Sequence, residues 1–260
     1  MKYIDKSINE IAGKQIVDNL LEHCWIDDQN RYINADYENG LCDNRTTFYE
    51  ELSEVLLEEQ NRLCCYCLKE INEDSTTLEH IIPNKSKLGD FGSYLVTYEL
   101  TNNVIHKTAF DRSAKVIPPV HYPHDIAYHN LIASCDSNIH CNNYRSYKKI
   151  EPFIFDVNIG NLVEYDGAGN AYSVQYEDDL QKLGLTNVNS PLKFIRKIWF
   201  ELAQTFNHIN EISEEVIDDA IDRLVLRFEG TKEIENFKGR TSYRDDVLKY
   251  KWFFQYYKGI

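Results

Sequence analysis

Two pairs of cysteines in the middle of the chain could bind one metal ion. Cys64 and Cys67 have the C-x-x-C spacing, which lets two thiolates on a tight turn converge on one Zn²⁺. Cys135 and Cys141 form a second pair, with five intervening residues where two are usual. Four thiolates would make a closed structural zinc site, and the wider second pair requires a bulge or helical turn. His140 is the alternative fourth ligand, and four small buried apolar side chains without a metal are the other interpretation.

The remaining cysteines are interpreted as packing residues. Cys65 would point away from the first pair, whereas Cys24 and Cys42 lie in the N-terminal flank. The sequence has neither an apolar run of about 20 residues nor an apolar N-terminal leader, so we expect a cytoplasmic protein without a membrane partner. Thiols stay reduced in that compartment, which favours metal ligands over disulfides.

A charged pair interrupts an apolar run between the two cysteine pairs. In TTLEHIIPNK, Glu79 and His80 stand inside the run, and Pro83 ends it. A histidine is a suitable general base near pH 7, and a carboxylate suits a hard cation. The two neighbours would point to opposite faces of a strand, because side chains alternate along it. The pair alone is weak evidence of chemistry, so its position among the other motifs decides its interpretation.

The order of these motifs resembles that of the HNH nucleases, which have the ββα-metal fold. The family pattern is a C-x-x-C, an acidic residue and His on a strand, Asn-Leu in a loop, a second cysteine pair followed by His or Asn on a helix, and a basic residue three positions later. The resemblance covers about residues 60–150, a third of the chain. The matching residues are Cys64, Cys67, Glu79, His80, Asn130, Leu131, Cys135, Cys141, Asn142 and Arg145.

The resemblance implies catalytic roles. His80 would activate the attacking water, and Asn130 would hold the loop that orients His80. Glu79 and Asn142 would bind one Mg²⁺ or Mn²⁺ through oxygen atoms, with Asn143 as the alternative to Asn142 if the helix register differs.

Two further features bear on the substrate. Arg145 would contact a phosphate. Residues 84–128 would be an insertion into the compact core, either a substrate-contacting loop or a polar surface excursion. DNA is the favoured substrate because the family mostly cuts DNA, and RNA is the alternative.

Among HNH proteins, the motifs look most similar to the HNH subunits of Septu-type anti-phage systems, some of them retron-associated. That resemblance implies an ABC/SMC-like ATPase partner and, in a retron setting, a reverse transcriptase with its nucleic acid. The net charge of −14 lies in the flanks: residues 1–60 hold 5 basic against 14 acidic side chains, and residues 61–150 hold 10 against 9. Acidic flanks would meet a basic partner or serve solubility alone.

The chain must supply elements that hold these residues. We predict an α+β fold with an N-terminal helical segment (1–60), a zinc-stapled nuclease core (61–150), and a β-hairpin with a C-terminal helical region (151–260). Two other functions stay open. One is a zinc-stapled binding or adaptor module without catalysis. The other is a self-sufficient restriction-type enzyme, which the acidic flanks disfavour because they weaken DNA affinity.

Local patterns predict the individual elements. Apolar residues at helical spacing from Ile8 to Leu21 predict a helix, and residues 27–45 read as a loop. Thr47 and Glu50 predict a capping box opening the next helix. Residues 151–176 read as strands around a DGAGN turn. The last predictions are a helix opened by Ser190-Pro191, a helix closed by Gly230, and a packed aromatic tail.

Overall fold

A computed structural model gives the three-dimensional structure of the chain. It describes residues 1–26, 32–33, 36–42, 47–81, 83, 95–101, 104–110, 125–188, 190–239 and 243–259. For 25–26, 32–33, 95–101 and 104–110, the description covers the backbone alone. Within these ranges, helices alternate with antiparallel strand pairs, which confirms the α+β class.

Two helices form most of the N-terminal segment. α1 (Glu10–His23) packs against α2 (Phe48–Glu59). The buried face of α1 consists of Gly13, Ile16, Val17, Leu20 and Leu21. Gly13 allows a close approach, because a Cβ at this position would lie 2.2 Å from the ring of Tyr128. The helix is therefore seated directly on the segment that leads into the candidate site.

The ends of these helices correct two expectations. Ile8 lies before α1 and is 65% exposed, and Ile11 is 87% exposed. At about 100° per residue, Ile11 lies roughly 200° from Gly13 and so faces away from the core. The capping box at Thr47 is also absent, because its hydroxyl donates to the Glu51 carboxylate at 2.8 Å instead of the helix backbone.

The predicted loop over 27–45 contains regular structure. β1 (Trp25–Ile26) pairs with β2 (Tyr32–Ile33), and a π-helical turn follows over Tyr37–Leu41. The rest of the predicted loop lies outside the described residues at 27–31, 34–35 and 43–45.

Two strands and a short helix form the centre of the molecule. β3 (Thr76–His80) pairs antiparallel with β6 (Leu131–Cys135), so that His80 lies opposite Leu131. α3 (Cys141–Arg145) follows β6 after a short connection. This strand–strand–helix unit contains most of the predicted site residues.

The insertion contains two paired antiparallel strands. β4 (Leu95–Thr101) pairs with β5 (Val104–Phe110), and the pair lies beside a 3₁₀ turn at Tyr128–Asn130. A role in substrate contact falls mostly outside the described residues, because 84–94, 102–103 and 111–124 are not among them.

The segment 151–176 contains less strand than its pattern predicts. Its elements are a 3₁₀ turn at Phe153–Phe155, α4 (Ile159–Leu162), β7 (Glu164–Tyr165) and β8 (Ala171–Tyr172). Phe153, Ile154 and Phe155 are all buried, so this run enters the core as a turn and does not alternate. The hairpin around DGAGN is confirmed, since β7 pairs with β8.

Helices complete the C-terminal region. They are α5 (Glu177–Lys182), α6 (Leu192–Thr205), α7 (Glu214–Arg227), α8 (Lys232–Lys238), α9 (Tyr243–Leu248) and α10 (Trp252–Lys258). Pro191 directly precedes α6, and Gly230 follows α7 with a φ of 80°, as the sequence predicts. The aromatic tail packs back as expected, because α10 contacts α6 and buries Phe253 and Phe254.

A continuous hydrophobic cluster runs through the three predicted regions and includes the paired cysteines. It also encloses an ion pair between Lys6 and Glu59, whose atoms are 2.6 Å apart. The Lys6 ammonium donates to the Leu131 carbonyl at 2.9 Å, and the Tyr128 hydroxyl donates to Glu59. These contacts fix the N-terminal segment to the start of β6. Within the described ranges, every helix is too short or too polar to cross a membrane.

Candidate functional site

The first cysteine pair lies on a tight reversal of the chain. Leu63 and Glu70 form an isolated antiparallel bridge that closes this turn. Leu68, directly after Cys67, has a φ of 64°, in the left-handed region that allows the chain to turn back. The turn brings the thiols of Cys64 and Cys67 to the same side.

The second pair joins a strand end to a helix start. Cys135 is the last residue of β6, and Cys141 is the first of α3. Cys141 has a φ of 63°, a conformation that costs a non-glycine residue about 1–3 kcal/mol. Its N–H donates to the Leu183 carbonyl at 2.7 Å, which helps hold this geometry. The left-handed residue accounts for the five-residue spacing, because it turns the chain back toward the first pair.

The four predicted thiols converge in the core. The sulfur atoms of Cys64, Cys67, Cys135 and Cys141 all lie within 4.8 Å of one another. The Cys64–Cys141 sulfur distance is 3.8 Å, and the Cys67–Cys135 distance is 3.7 Å. A regular tetrahedron with Zn–S bonds of about 2.3 Å has sulfur atoms about 3.8 Å apart. The four cysteines could therefore hold a metal ion, and their spacing fits zinc.

Hydrogen-bond donors surround the sulfur atoms, as expected for a group of thiolates. The Cys135 N–H donates to the Cys64 sulfur at 3.3 Å, and the Tyr250 hydroxyl donates to the Cys67 sulfur at 3.7 Å. His140 Nδ1 lies 3.2 Å from the Cys141 sulfur. His140 therefore lies beside the cluster and contacts Cys141. The four cysteines form a complete tetrahedral set without it.

The thiols share their protons unequally. Burial alone would raise the pKa of Cys67, but hydrogen bonds from Cys135 and Cys141 lower it to about 6. Burial instead dominates at Cys141 and raises its pKa well above the ordinary value. A bound cation would favour the thiolate form of all four, because metal binding releases thiol protons.

The other three cysteines are not part of the four-cysteine group, although the Cys65 thiol interacts with that of Cys64. Cys65 is buried, its N–H donates to the Ala133 carbonyl at 3.2 Å, and burial raises its pKa well above the ordinary value. Cys24 and Cys42 are half-buried. This agrees with their interpretation as packing residues.

Glu79 takes part in a buried ion pair. Its carboxylate accepts hydrogen bonds from Arg145 Nη1 and, at 2.9 Å, from the Tyr66 hydroxyl. Burial raises the pKa of Glu79, and the Arg145 guanidinium opposes that shift. The side chain is 3% exposed, and its Oε1 accepts both bonds, so Glu79 has a structural contact that the sequence does not indicate. Its role as a ligand of Mg²⁺ or Mn²⁺ stays a prediction.

Arg145 also differs from its expected role as a phosphate contact. The residue is 0% exposed, and it donates to three backbone carbonyls as well as to Glu79. These carbonyls belong to His80 at 2.7 Å, Ile81 at 2.6 Å and Lys148 at 2.8 Å. A guanidinium in this position cannot reach a phosphate on the surface. It instead ties the end of β3 to the end of α3.

Asn142 and Asn143 are distinguished by the register of α3. Asn142 is half-buried, and its amide donates to Thr77 Oγ1 at 3.3 Å. Asn143 is exposed, and its amide donates to the Asp136 carbonyl at 2.9 Å. Asn142 therefore faces β3, whereas Asn143 faces solvent. Because Thr77 and Glu79 share a strand face, Asn142 also lies on the Glu79 side of the strand.

His80 lies on the opposite face of β3. It is 8% exposed, and its Nε2 lies 2.8 Å from the carbonyl oxygen of Asp125. A carbonyl can only accept, so this bond puts the proton on Nε2 and leaves Nδ1 as the basic nitrogen of the neutral ring. The ring of Tyr37 contacts the imidazole edge-on, with centroids 4.6 Å apart. The alternation expected from the sequence therefore separates His80 from Glu79.

Asn130 links the two strands through its backbone. It ends the 3₁₀ turn before β6, is buried, and its carbonyl accepts the Ile81 N–H at 3.0 Å. This contact fixes the residue that follows His80. Because the backbone makes this contact, the role predicted for the Asn130 side chain stays a prediction.

Three residues that shape this region carry no motif in the sequence. Tyr66 binds Glu79, Asp125 binds His80, and Tyr37 packs on His80. Tyr66 stands inside the C-x-x-C turn and could have been noticed there. Tyr37 and Asp125 are separated by 88 positions from each other, and no spacing pattern connects them to His80.

Comparison of the chain with protein-family models, with curated proteins and with solved structures finds no match in any of the three. The functional interpretation therefore depends on the sequence motifs and on the geometry described above.

Proposed function

We propose that the chain is an HNH-type endonuclease that hydrolyses phosphodiester bonds of nucleic acid, with DNA favoured over RNA. The observation that carries the proposal is the setting of His80. His80 is the last residue of β3, in a strand–strand–helix unit that a metal ion bound by the four converging cysteines can hold together. Its bond to the Asp125 carbonyl leaves Nδ1 as the basic nitrogen. In the proposed enzyme, Zn²⁺ at these cysteines is structural.

His80 is the general base in this proposal. A neutral imidazole takes a proton from water through Nδ1, while the Nε2 bond to the Asp125 carbonyl holds the ring and stabilises the imidazolium that forms. General-base catalysis of this kind contributes about 10²- to 10⁴-fold to a rate. His80 therefore activates the attacking water and then holds the proton that it has removed.

The proposed reaction requires a divalent cation, and this requirement can be tested. Mg²⁺ or Mn²⁺ would supply charge stabilisation at the phosphate when bound. Asn142 can offer an amide oxygen, but it lies on the Glu79 face of β3, across the strand from His80, and Glu79 itself is held by Arg145. In place of buried Arg145, the exposed Lys148 and Lys149 are the proposed phosphate contacts at the end of α3.

The most specific part of the proposal concerns the biological setting. We propose an effector nuclease of a bacterial anti-phage complex of the Septu or retron-associated type, with an ABC/SMC-like ATPase partner. Its support is the motif resemblance and the acidic flanks, of which helix α7 is an example. Glu214, Glu215 and Asp219 of this helix are exposed, whereas Asp218 and Asp222 pair with Arg244. A basic partner surface would complement such a helix and increase the association rate.

One observation favours the alternative of a binding or adaptor module. Glu79 is neutralised by Arg145, so the carboxylate expected to bind the catalytic cation is engaged in a structural ion pair. A module without catalysis would keep the zinc staple and this ion pair and would have no need of a reactive His80.

The deciding experiment compares His80→Ala with the wild type and with His208→Ala, which removes an exposed histidine. Supercoiled plasmid, single-stranded DNA and RNA of the same sequence are incubated with Mg²⁺ or Mn²⁺. We expect divalent-ion-dependent cleavage by the wild type and His208→Ala, and a loss of at least about 10²-fold in His80→Ala. The zinc content should not change, and His80→Ala should remain folded at the assay temperature.

Two results would contradict the proposal. Undiminished cleavage by His80→Ala would remove His80 as the base. A folded, zinc-loaded wild type that cuts none of the three substrates, alone or in the complex purified from its native host, would support the adaptor module instead.

A further inference from the structure

The N-terminal segment reaches the candidate base from outside the motif region. Tyr37, in the π-helical turn, packs against the His80 imidazole with ring centroids 4.6 Å apart and planes at 77°. Edge-to-face packing is a favoured arrangement of aromatic rings. The contact limits rotation of the imidazole about its Cβ–Cγ bond, because a turned ring would collide with Tyr37 or lose the contact.

Asp125 connects the two rings. Its backbone carbonyl accepts from His80 Nε2 at 2.8 Å, and its carboxylate Oδ2 accepts the backbone N–H of Tyr37 at 3.2 Å. Asp125 is 4% exposed, so both bonds lie inside the protein. One residue thereby sets the position of His80 and of the ring that packs on it.

The π-helical turn is itself anchored at both ends. The Asp36 carboxylate accepts the Asn39 N–H at 2.9 Å, and Leu41 is fully buried. Burial raises the pKa of Tyr37, so its hydroxyl stays protonated, and it shares hydrogen bonds with Tyr49 and Cys42. π-helical turns are rare and occur frequently at functional sites.

Tyr49 links this turn back to β3. Its hydroxyl accepts the backbone N–H of Leu78 at 3.4 Å. Leu78 stands two residues before His80 in the strand, so the Tyr37 ring contacts β3 at His80, and its hydroxyl is connected to Leu78 through Tyr49. The turn is thus fixed relative to His80 by Asp125 on one side and by Tyr49 on the other.

We propose that Tyr37 and Asp125 are positioning residues that fix the tautomer and ring orientation of His80. The inference rests on the proposed function, because it assigns the base that they orient. The N-terminal segment is then part of the site and does more than pack beside it. An imidazole held in one orientation keeps Nδ1 aimed at the water, and misplacement of a reacting group by about 1 Å can cost on the order of 10²-fold in rate.

The test uses the full chain with ¹⁵N-labelled histidine and the variants Tyr37→Leu, Tyr37→Phe, Asp125→Ala and Asp125→Asn. The chain has 8 histidines, and comparison with His80→Asn assigns the His80 signals. Phe keeps the ring and Asn keeps an acceptor, so each is the conservative control for its position. Tyr256→Ala is the matched control elsewhere, because it removes a half-buried ring that packs on Tyr165 in the C-terminal region.

We expect wild type, Tyr37→Phe, Asp125→Asn and Tyr256→Ala to show His80 as a single Nε2-protonated tautomer. Tyr37→Leu removes the ring contact, and Asp125→Ala removes the carboxylate that holds the Tyr37 backbone but keeps the carbonyl that bonds His80. Both variants should therefore show His80 signals broadened by exchange between ring orientations. Where cleavage is measurable, kcat should fall on the order of 10²-fold in these two variants with KM little changed, and Tyr37→Phe should restore it.

The cleavage assay and the tautomer measurement distinguish a failure of the proposed function from a failure of the positioning role. A wild type without cleavage activity contradicts the proposed function, while the tautomer measurement still tests the orienting contacts. A sharp, wild-type His80 signal in both Tyr37→Leu and Asp125→Ala would overturn the positioning role whatever the activity. Unchanged kcat in these folded variants, beside an active wild type, would overturn it as well.

Discussion

Glu79 and Arg145 form a buried ion pair whose function we infer from its surroundings. Two charges removed from water stabilise a fold only when their geometry is good and their remaining hydrogen-bonding groups are satisfied. Here the guanidinium serves Glu79 and three carbonyls, and Tyr66 supplies a further donor to the carboxylate. The pair therefore holds the last residues of β3 against α3, next to His80 but on the other face.

Removal of the negative charge should destabilise the protein strongly. Glu79→Gln keeps an acceptor for Arg145 and Tyr66 but leaves the guanidinium charge unpaired in the core. We expect the free energy of unfolding, measured by urea denaturation, to fall by about 3–5 kcal/mol. Arg145→Met should cost at least as much, because the carbonyls of His80 and Ile81 also lose their donor.

An exposed pair provides the control for this prediction. Glu201 contacts Arg227 at 2.6 Å, but both side chains are more than a third exposed, so Glu201→Gln should cost less than about 1 kcal/mol. A Glu79→Gln variant as stable as Glu201→Gln would contradict the structural role. If that stable variant also lost Mn²⁺ affinity, the original interpretation of Glu79 as a ligand would be restored.

At the scale of elements, α1 is fastened to the turn before β6 by polar contacts as well as by packing. His129 in that turn is buried, and its Nε2 lies 3.1 Å from Glu10 Oε1. Burial lowers the pKa of His129 to about 4, and the charges of Lys14 and Lys6 act in the same direction, against Glu10. The imidazole is therefore neutral in the fold at neutral pH.

This depressed pKa predicts a loss of stability in mild acid. The unfolded chain takes up the His129 proton near pH 6.5, whereas the folded chain does so only near pH 4. Between these values the unfolded state binds more protons, so the free energy of unfolding falls as pH decreases, by roughly 3 kcal/mol in total. Urea denaturation from pH 7.5 to 4 measures this slope.

Two variants isolate the effect. His129→Gln should flatten the slope between pH 6.5 and 4, because the titrating group is absent. His208→Gln, which replaces an exposed histidine, should leave it unchanged. Equal slopes in the wild type and in His129→Gln would show that other groups produce the acid sensitivity.

The sequence predicts well those elements that have a local pattern of apolar residues. α6 follows Pro191, and its residues Leu192, Ile195, Ile198, Trp199 and Leu202 are buried as their spacing indicates. The run at 153–155 was misread because three successive apolar residues in the core contain no period that separates a turn from a strand. The π-helical turn at 37–41 was missed for a similar reason, since its sequence resembles any polar loop.

Within the candidate site, the sequence does not predict contacts between residues that are far apart along the chain. Convergence of the cysteines followed from their spacing, and the opposite faces of Glu79 and His80 followed from strand alternation. The pairing of Glu79 with Arg145 joins residues 66 positions apart and depends on how α3 crosses β3. Sequence spacing alone does not encode that crossing, so the basic residue was assigned to phosphate and not to the core.

At the scale of the whole molecule, the four-cysteine cluster connects the central unit to the C-terminal region. The Tyr250 hydroxyl binds the Cys67 sulfur, and the Glu70 N–H donates to the Lys249 carbonyl at 2.7 Å. On the other side, the Cys141 N–H binds the Leu183 carbonyl. Both cysteine pairs are thus in direct contact with residues beyond position 150, and a change at the cluster should be transmitted to them.

In a protein that holds zinc at these cysteines, loss of the metal should therefore unfold more than the two cysteine turns. Binding of a structural zinc is worth about 10–16 kcal/mol in small zinc domains, which is as large as the whole stability of a typical fold. We expect Cys67→Ser, or chelation of the wild type, to abolish zinc content and hydrogen-exchange protection both at 63–70 and at 243–259. Cys42→Ser, which alters a half-buried cysteine outside the cluster, should retain both. Exchange mass spectrometry with metal analysis measures the two quantities together. Protection that persists at 243–259 after zinc is lost would mean that the C-terminal helices are stable without the cluster.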